Sequence, residues 1–362
     1  METTDCEALV REAAHLMERL IALPAPSREE TARADFLEMY MARHGAKPVR
    51  TGNNLWCEAD APDSPRPTLL LNAHIDTVRP VDGWTRPPHR ATMEGGRIYG
   101  LGSNDCGGGL VTLLLLFLRL RRRRDLPWHL VFLASAEEEI SGRGGVEAAL
   151  PQLPHIDAAL VGEPTGMRPA LAEKGLMVLD CTATGRAGHA ARDEGDNAIY
   201  HAMESMEWFR MHRFGRVSPL LGPVRMSVTM VEAGTQHNVV PDRCHFVVDV
   251  RSNECYTNEE LLALIRREAG CRVEARSTRL NPSGIAPSHP LARAACRWGG
   301  EPFGSPTLSD QALMPFPSLK MGPGLSERSH TADEYICLHE LEQAFRIYTQ
   351  LLTSPPPGSD GE

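Results

Sequence analysis

The apolar positions change their period along the chain, and each change marks an element. Leu9, Ala13, Leu16 and Leu20 recur at helical spacing until Pro24, which has no amide hydrogen, stops the pattern. Ser27 followed by Glu30 carries a capping-box signature, predicting a second helix that Gly45 ends. Thr68 to Leu71 is a short apolar strand, and a helix is predicted from about Gly107 to Arg124. His129 to Ala134 and Ile156 to Val161 are further buried strands. Continuous apolar strands separated by helices predict an α/β fold, with a largely parallel sheet covered on both faces.

The middle of the chain has another rhythm. A strand at Gly175–Thr184 is followed by a helix at Asn197–Met211 and strands at Val224–Val231 and Cys244–Arg251. A helix at Asn258–Ala269 and a strand at Arg272–Arg279 complete a β-α-β-β-α-β order, the ferredoxin-like pattern. Cys244, Phe246, Val248 and Val250 alternate with other residues, as a sheet with one open face requires. Thr257 and Glu260 make another capping box at the start of the second helix. From about Pro287 the chain returns to mixed helix and strand and ends in a helix from Asp333 to Leu352. The organisation expected is a discontinuous first domain (1–172 and 284–362) interrupted by an inserted α+β domain (173–283). The tail, 354–362, has nothing apolar to bury and is expected to be disordered.

Composition narrows the function classes. Hydrophobic residues make up 42% of the 362 residues, enough for a sizeable core, and the formal net charge of −9 argues against a general nucleic-acid binder. The one basic run, Arg121 to Arg124, closes the predicted helix, where its dipole favours cations. Nine cysteines without a C-x-x-C pair or a framework spacing fit a reducing compartment, and Cys106 reads as packing. The N-terminal stretch is acidic and helix-periodic, and the apolar run Leu110–Leu118 is short, so the expected location is the cytoplasm, with no membrane partner.

The chemistry lies at the strand ends. LLLNAHID places His74 and Asp76 at the end of one strand, LVFLASAEEE places Glu137, Glu138 and Glu139, and IDAALVGEPT places Glu163. Ligands of open α/β sheets bind outside the carboxyl ends of the strands, so three segments deliver acid and imidazole groups to one edge. Asp105 stands in a Gly-rich turn just before a helix, where the helix N-terminus favours a carboxylate. Three consecutive glutamates usually mark a solvated helix face, but these directly follow the strand LVFLAS. Carboxylates that converge in one cleft resist ionisation unless a cation neutralises them. Imidazole and carboxylate donors without thiolates suit zinc and related divalent ions, and their number points to two metals with one bridging group.

At these residues the chain resembles the zinc amidohydrolase family that contains acetylornithine deacetylase, succinyl-diaminopimelate desuccinylase, aminoacylase and bacterial glutamate carboxypeptidase. The resemblance runs from about residue 10 to 352 through NAHIDTV, GLGSND, ASAEEEISG, VGEPTG, GRAGHAA, QHNVVP and RSHTADEYI. It is strongest to the acetylornithine deacetylase branch, through PTLSDQALMPFPSLKMGPG and SHTADEY.

The resemblance implies a two-zinc catalytic domain and an inserted lid and dimerisation domain, with cobalt or manganese as substitute metals. It implies that Asp105 bridges both metals, with His74 and Glu163 completing one ligand set and Glu139 and His330 the other. Glu138 matches the general base, and Asp76 would fix the His74 ring. The family often has Asp-Glu-Glu where this chain has Glu137-Glu138-Glu139, and Ile140-Ser141-Gly142 supports the register. His189 matches a histidine that reaches a partner subunit's site and stabilises the oxyanion. Asn238 resembles a substrate-binding lid residue, and Arg251 an arginine that grips the substrate α-carboxylate, although Asp249 is an alternative partner for it.

The implied reaction is hydrolysis of an N-acyl amino acid by a homodimer, with N-acetyl-L-ornithine, in arginine biosynthesis, as the leading substrate. N-succinyl-ornithine, acetylcitrulline, succinyl-diaminopimelate and dipeptides are alternatives, with a non-catalytic binding protein behind them.

Overall fold

Leu69, Leu70, Leu71 and Ala73 are all fully buried, because their strand lies in the middle of a sheet with structure on both faces. The computed structural model describes residues 3–60, 65–192 and 194–354. It divides into two compact units, one of 1–171, 284–303 and 309–362 and the other of 172–283 and 304–308. The short segment 304–308 is a departure from the organisation expected, since it returns to the second unit after the chain has left it.

In the first unit the strands follow the order Val49–Thr51, Asn54–Glu58, His129–Ser135, Thr68–His74, Ala158–Val161, Ser318–Lys320, Ala170–Glu173. The four from His129–Ser135 to Ser318–Lys320 run parallel, and antiparallel strands extend both edges. The helix Gly108–Leu120 packs on the sheet with eleven of its residues buried. By length and apolarity 103–120 passes for a membrane span, yet 83% of it is buried inside the unit, which makes it a core helix.

Several boundaries differ from the sequence reading: the strand expected to reach Arg279 ends at Ala275, and three others shift for a visible reason. Ser27 does not cap the second helix, Thr31–Arg43, because its hydroxyl donates to Asp76 Oδ2 at 2.6 Å. The core helix stops at Leu120, before the arginine run, and Arg121 donates to the Gly45 carbonyl at 2.6 Å. The last helix starts at Leu338, because Tyr335–Cys337 is a strand paired with Arg97–Tyr99. The tail beyond 354 lies outside the described residues.

The second unit's sheet runs Arg225–Ala233, Arg243–Ser252, Gly175–Thr184, Arg272–Ala275, antiparallel throughout. Numbered by chain position that is 2-3-1-4, the ferredoxin-like order. The helices Ala198–Met211 and Asn258–Glu268 supply Ala202, Phe209, Leu261 and Ile265 to a core with Leu179, Phe246, Val248 and Val250. The second helix has its capping box, with Thr257 and Glu260 exchanging hydrogen bonds. Arg225–Ala233 is an edge strand that leaves Met230 and Val231 exposed.

Candidate metal centre

The parallel strands bring the acids together because their registers are aligned. His74 is level with Ser135 on one side, and Val161 is level with Asn72 on the other. The segments after Ser135 and Val161 therefore deliver Glu138, Glu139 and Glu163 beside His74. Asp105 arrives from the turn before the core helix. That helix can sit against the sheet because Gly109 has no side chain: a Cβ there would stand 1.7 Å from the Gly162 carbonyl oxygen.

Asp105 lies between the two histidines. Its Oδ1 is 3.2 Å from His74 Nε2, and its Oδ2 is 3.6 Å from His330 Nε2. Glu163 Oε1 is 3.6 Å from the same His74 nitrogen, and Glu139 Oε2 is 2.9 Å from that of His330. Glu138 Oε2 approaches His74 Nε2 to 3.9 Å. All six residues singled out from sequence for metal binding and base chemistry in this unit thus converge.

Asp76 does more than steady His74. The ring Nδ1 of His74 lies 2.9 Å from the Asp76 backbone oxygen and 3.6 Å from its carboxylate. That carboxylate also accepts the backbone N–H groups of Glu138 at 3.0 Å and Glu139 at 3.1 Å, which fixes the turn that carries both glutamates. Nothing in the local pattern around Asp76 announces this, since the partners are more than 60 residues away.

The electrostatics explain why this cluster suits cations. Burial pushes the Glu138 carboxyl well above its usual range, and Glu163, Asp310 and Glu139 add to that, while His74 pulls it down. Burial and then Asp105 push Glu163 up to about 8, against the pull of His74 and Lys320. The Glu139 hydrogen bond holds the His330 imidazole up at about 9. Buried carboxylates at this spacing stay reluctant to ionise until positive charge joins them. Two imidazoles and a set of carboxylates are donors that divalent zinc, cobalt or manganese accept. The donor atoms of His74, Asp105 and Glu139 lie within 4.8 Å of one another; those of His74, Cys106 and Glu163 do too, but burial pushes the Cys106 thiol up and keeps it neutral.

The second unit holds the other three residues. His189 and Asn238 are neighbours there: Gly188–His189 pairs with Val239–Val240, and Ala190 N donates to the Asn238 carbonyl at 3.0 Å. Both are exposed, and His189 Nδ1 accepts from Ala191 N at 3.0 Å. Arg251 forms a two-point pair with Asp249, at 2.8 and 3.2 Å. The guanidinium is therefore held within its own strand by a carboxylate two residues away.

Fold and cluster together define a hydrolase of the metallopeptidase and deacylase type. The model of peptidase family M20/M25/M40 matches residues 70–354, and the chain belongs to that family. Acetylornithine deacetylase of Edwardsiella ictaluri is 28% identical over 307 residues, covering 78% of this chain and 79% of the relative. A probable succinyl-diaminopimelate desuccinylase of Staphylococcus aureus is 36% identical over 149 residues; the match spans 40% of this chain and 37% of that relative's length. Aminopeptidase PepT of Bacillus cereus superposes with a TM-score of 0.78 at 19% identity, over 96% of this chain and 98% of that one. A Bacillus subtilis protein described as a dinuclear metal binding peptidase of family M20 gives 0.73 at 17% identity, over 95% and 98% of the two chains.

Proposed function

We propose that this protein hydrolyses the amide bond of an N-acylated amino acid, with N-acetyl-L-ornithine as the first candidate. The observation that carries the reading is the placement of Asp105, one oxygen toward His74 and the other toward His330, with Glu138 alongside. In this reading His74, Asp105 and Glu163 hold one divalent cation, and Asp105, Glu139 and His330 hold a second. Cations so held supply Lewis acidity for the scissile carbonyl and lower the pKa of water. Zinc is the first candidate for both positions.

The side chains do the rest. Glu138 takes the proton from the attacking water and delivers it to the nitrogen of the leaving amine. Glu138 takes that proton in its ionised form, which positive charge held beside it favours. Asp76 keeps His74 and the Glu138 turn in place. His189, contributed by a second copy of the chain, donates to the carbonyl oxygen as negative charge develops on it. Asn238 and Arg251 bind the amino-acid part, which requires Arg251 to exchange Asp249 for the substrate carboxylate.

Self-association through the second unit is part of the same reading. The open edge of Arg225–Ala233, with Met230 and Val231 exposed, supports it. A role in arginine biosynthesis follows from the resemblance to acetylornithine deacetylases, and a cytoplasmic location is supported by the nine scattered cysteines, which fit a reducing compartment. A desuccinylase is the second reading, supported by the 36% identity over 149 residues to the Staphylococcus aureus relative, and a peptidase follows from the family.

The deciding experiment assays metal-loaded protein against N-acetyl and N-succinyl derivatives of ornithine, citrulline and diaminopimelate, together with dipeptides. Turnover of acetylornithine above the others supports the first reading. Preference for a succinyl compound or a dipeptide moves the assignment, and hydrolysis of none rejects it.

A further inference from the structure

Glu334 sits four residues beyond His330 and is almost fully buried, at 2% exposure. Its carboxylate reaches back across some 230 residues of chain to the turn that carries Asp105. Oε2 accepts the backbone N–H of Gly102 at 2.9 Å, and Oε1 accepts those of Asn104 at 2.8 Å and Asp105 at 2.9 Å. These N–H groups precede the core helix, so a carboxylate there could be an ordinary helix-end partner. Two facts set it apart. One of the three donors is the amide of Asp105 itself, so the grip acts directly on the residue between the two histidines. The same loop carries His330, which faces the other side of the Asp105 carboxylate.

Other contacts stitch the same two loops. Gly100 N donates to the Glu334 carbonyl at 3.0 Å. The Asn104 amide donates to the Leu325 carbonyl at 3.0 Å and accepts from Leu325 N at 3.0 Å. These hold the backbones near each other, and of these contacts the one from Glu334 engages the amide of the central ligand.

We infer that Glu334 is a positioning residue of the metal centre, its carboxylate holding Asp105 in register with His330 so that one side chain sets how tightly a cation is shared between them. The inference rests on the two-cation reading above. It also gives the Glu in RSHTADEYI a purpose distinct from that of the histidine it follows.

The test compares wild-type protein with Glu334→Ala and Glu334→Gln by cobalt(II) titration, followed by visible absorption and calorimetry, with thermal stability measured alongside. The wild type is expected to take two equivalents. Glu334→Ala is expected to weaken at least one of them by roughly 10- to 100-fold, the usual cost of losing a group that orients a ligand. Glu334→Gln keeps an amide oxygen for one or two of the N–H groups and turns an NH2 toward the remainder, so its affinity should fall between the two. If Glu334→Ala does not fold, the nearly isosteric Gln variant decides alone. Wild-type cobalt affinity in the variants, even with a lowered Tm, overturns the inference and leaves Glu334 a structural residue. A wild type that takes up no cobalt instead overturns the two-cation reading itself.

Discussion

The carboxylate of Asp76 accepts the backbone N–H of Glu138 at 3.0 Å, so the residue that steadies His74 also steadies the turn of the proposed base. The base and the ligand are thus held by one buried residue, the turn of Glu138 by its carboxylate and the His74 ring chiefly by its backbone oxygen at 2.9 Å. This separates two kinds of loss. Removing the Glu138 carboxylate leaves the scaffold intact, whereas removing the Asp76 carboxylate frees the turn that carries Glu138 and Glu139 while the backbone contact to His74 remains.

Glu138→Ala should therefore retain its metal content while turnover falls by about 10²- to 10⁴-fold, the range for a positioned acid–base group. Metal analysis and kcat on the same preparation check it. Near-normal kcat would take the proton-transfer role away from Glu138.

His189→Ala should lower kcat more than it raises KM, because contacts to a developing oxyanion are realised mainly in the transition state. If His189 acts on a second copy, Met230→Lys on the open edge should lower both the dimer fraction by light scattering and the activity. A monomeric, fully active Met230→Lys variant would contradict action in trans.

Chelator-treated protein should lose stability as pH rises. Glu163 titrates at about 8 in the fold against an ordinary 4.5, so the folded state holds a proton that the unfolded chain has released. Stability then falls with increasing pH between those two values. Glu138 acts in the same direction. Added divalent cation should flatten the slope, since the carboxylates are then ionised in the fold as well. Tm measured from pH 5 to 8 with and without metal is the check, and equal slopes would count against cation binding by these carboxylates.

Asn258→Leu should destabilise the second unit by about 1–3 kcal/mol, the cost of leaving buried polar groups without partners. The Asn258 amide is fully buried and donates to the carbonyls of Leu280 at 2.7 Å and Leu176 at 3.2 Å, while accepting from Ser252 Oγ at 2.7 Å. Urea unfolding of the variant measures it, and a change within about 0.5 kcal/mol would mean that relaxation or water replaces those bonds.

The sequence by itself determined the elements whose pattern is local. Unbroken apolar runs marked the buried strands, two-residue alternation marked Cys244 to Val250, and Thr257 with Glu260 marked a helix start that the fold retains. Because the acids follow those runs directly, their arrival at strand ends was legible too. The tertiary structure decided what depends on partners distant in sequence. Ser27 reads as a cap but is taken by Asp76, 49 residues away, and Asp333 reads as the start of a helix but lies before a strand that pairs with Arg97–Tyr99. The placement of Asp105 between His74 and His330, and the grip of Glu334 upon it, likewise arise from contacts across up to 230 residues. Periodicity and capping report only on neighbours within a few positions. Which donor a buried carboxylate meets is set when the sheet aligns its strands and the loops above them close.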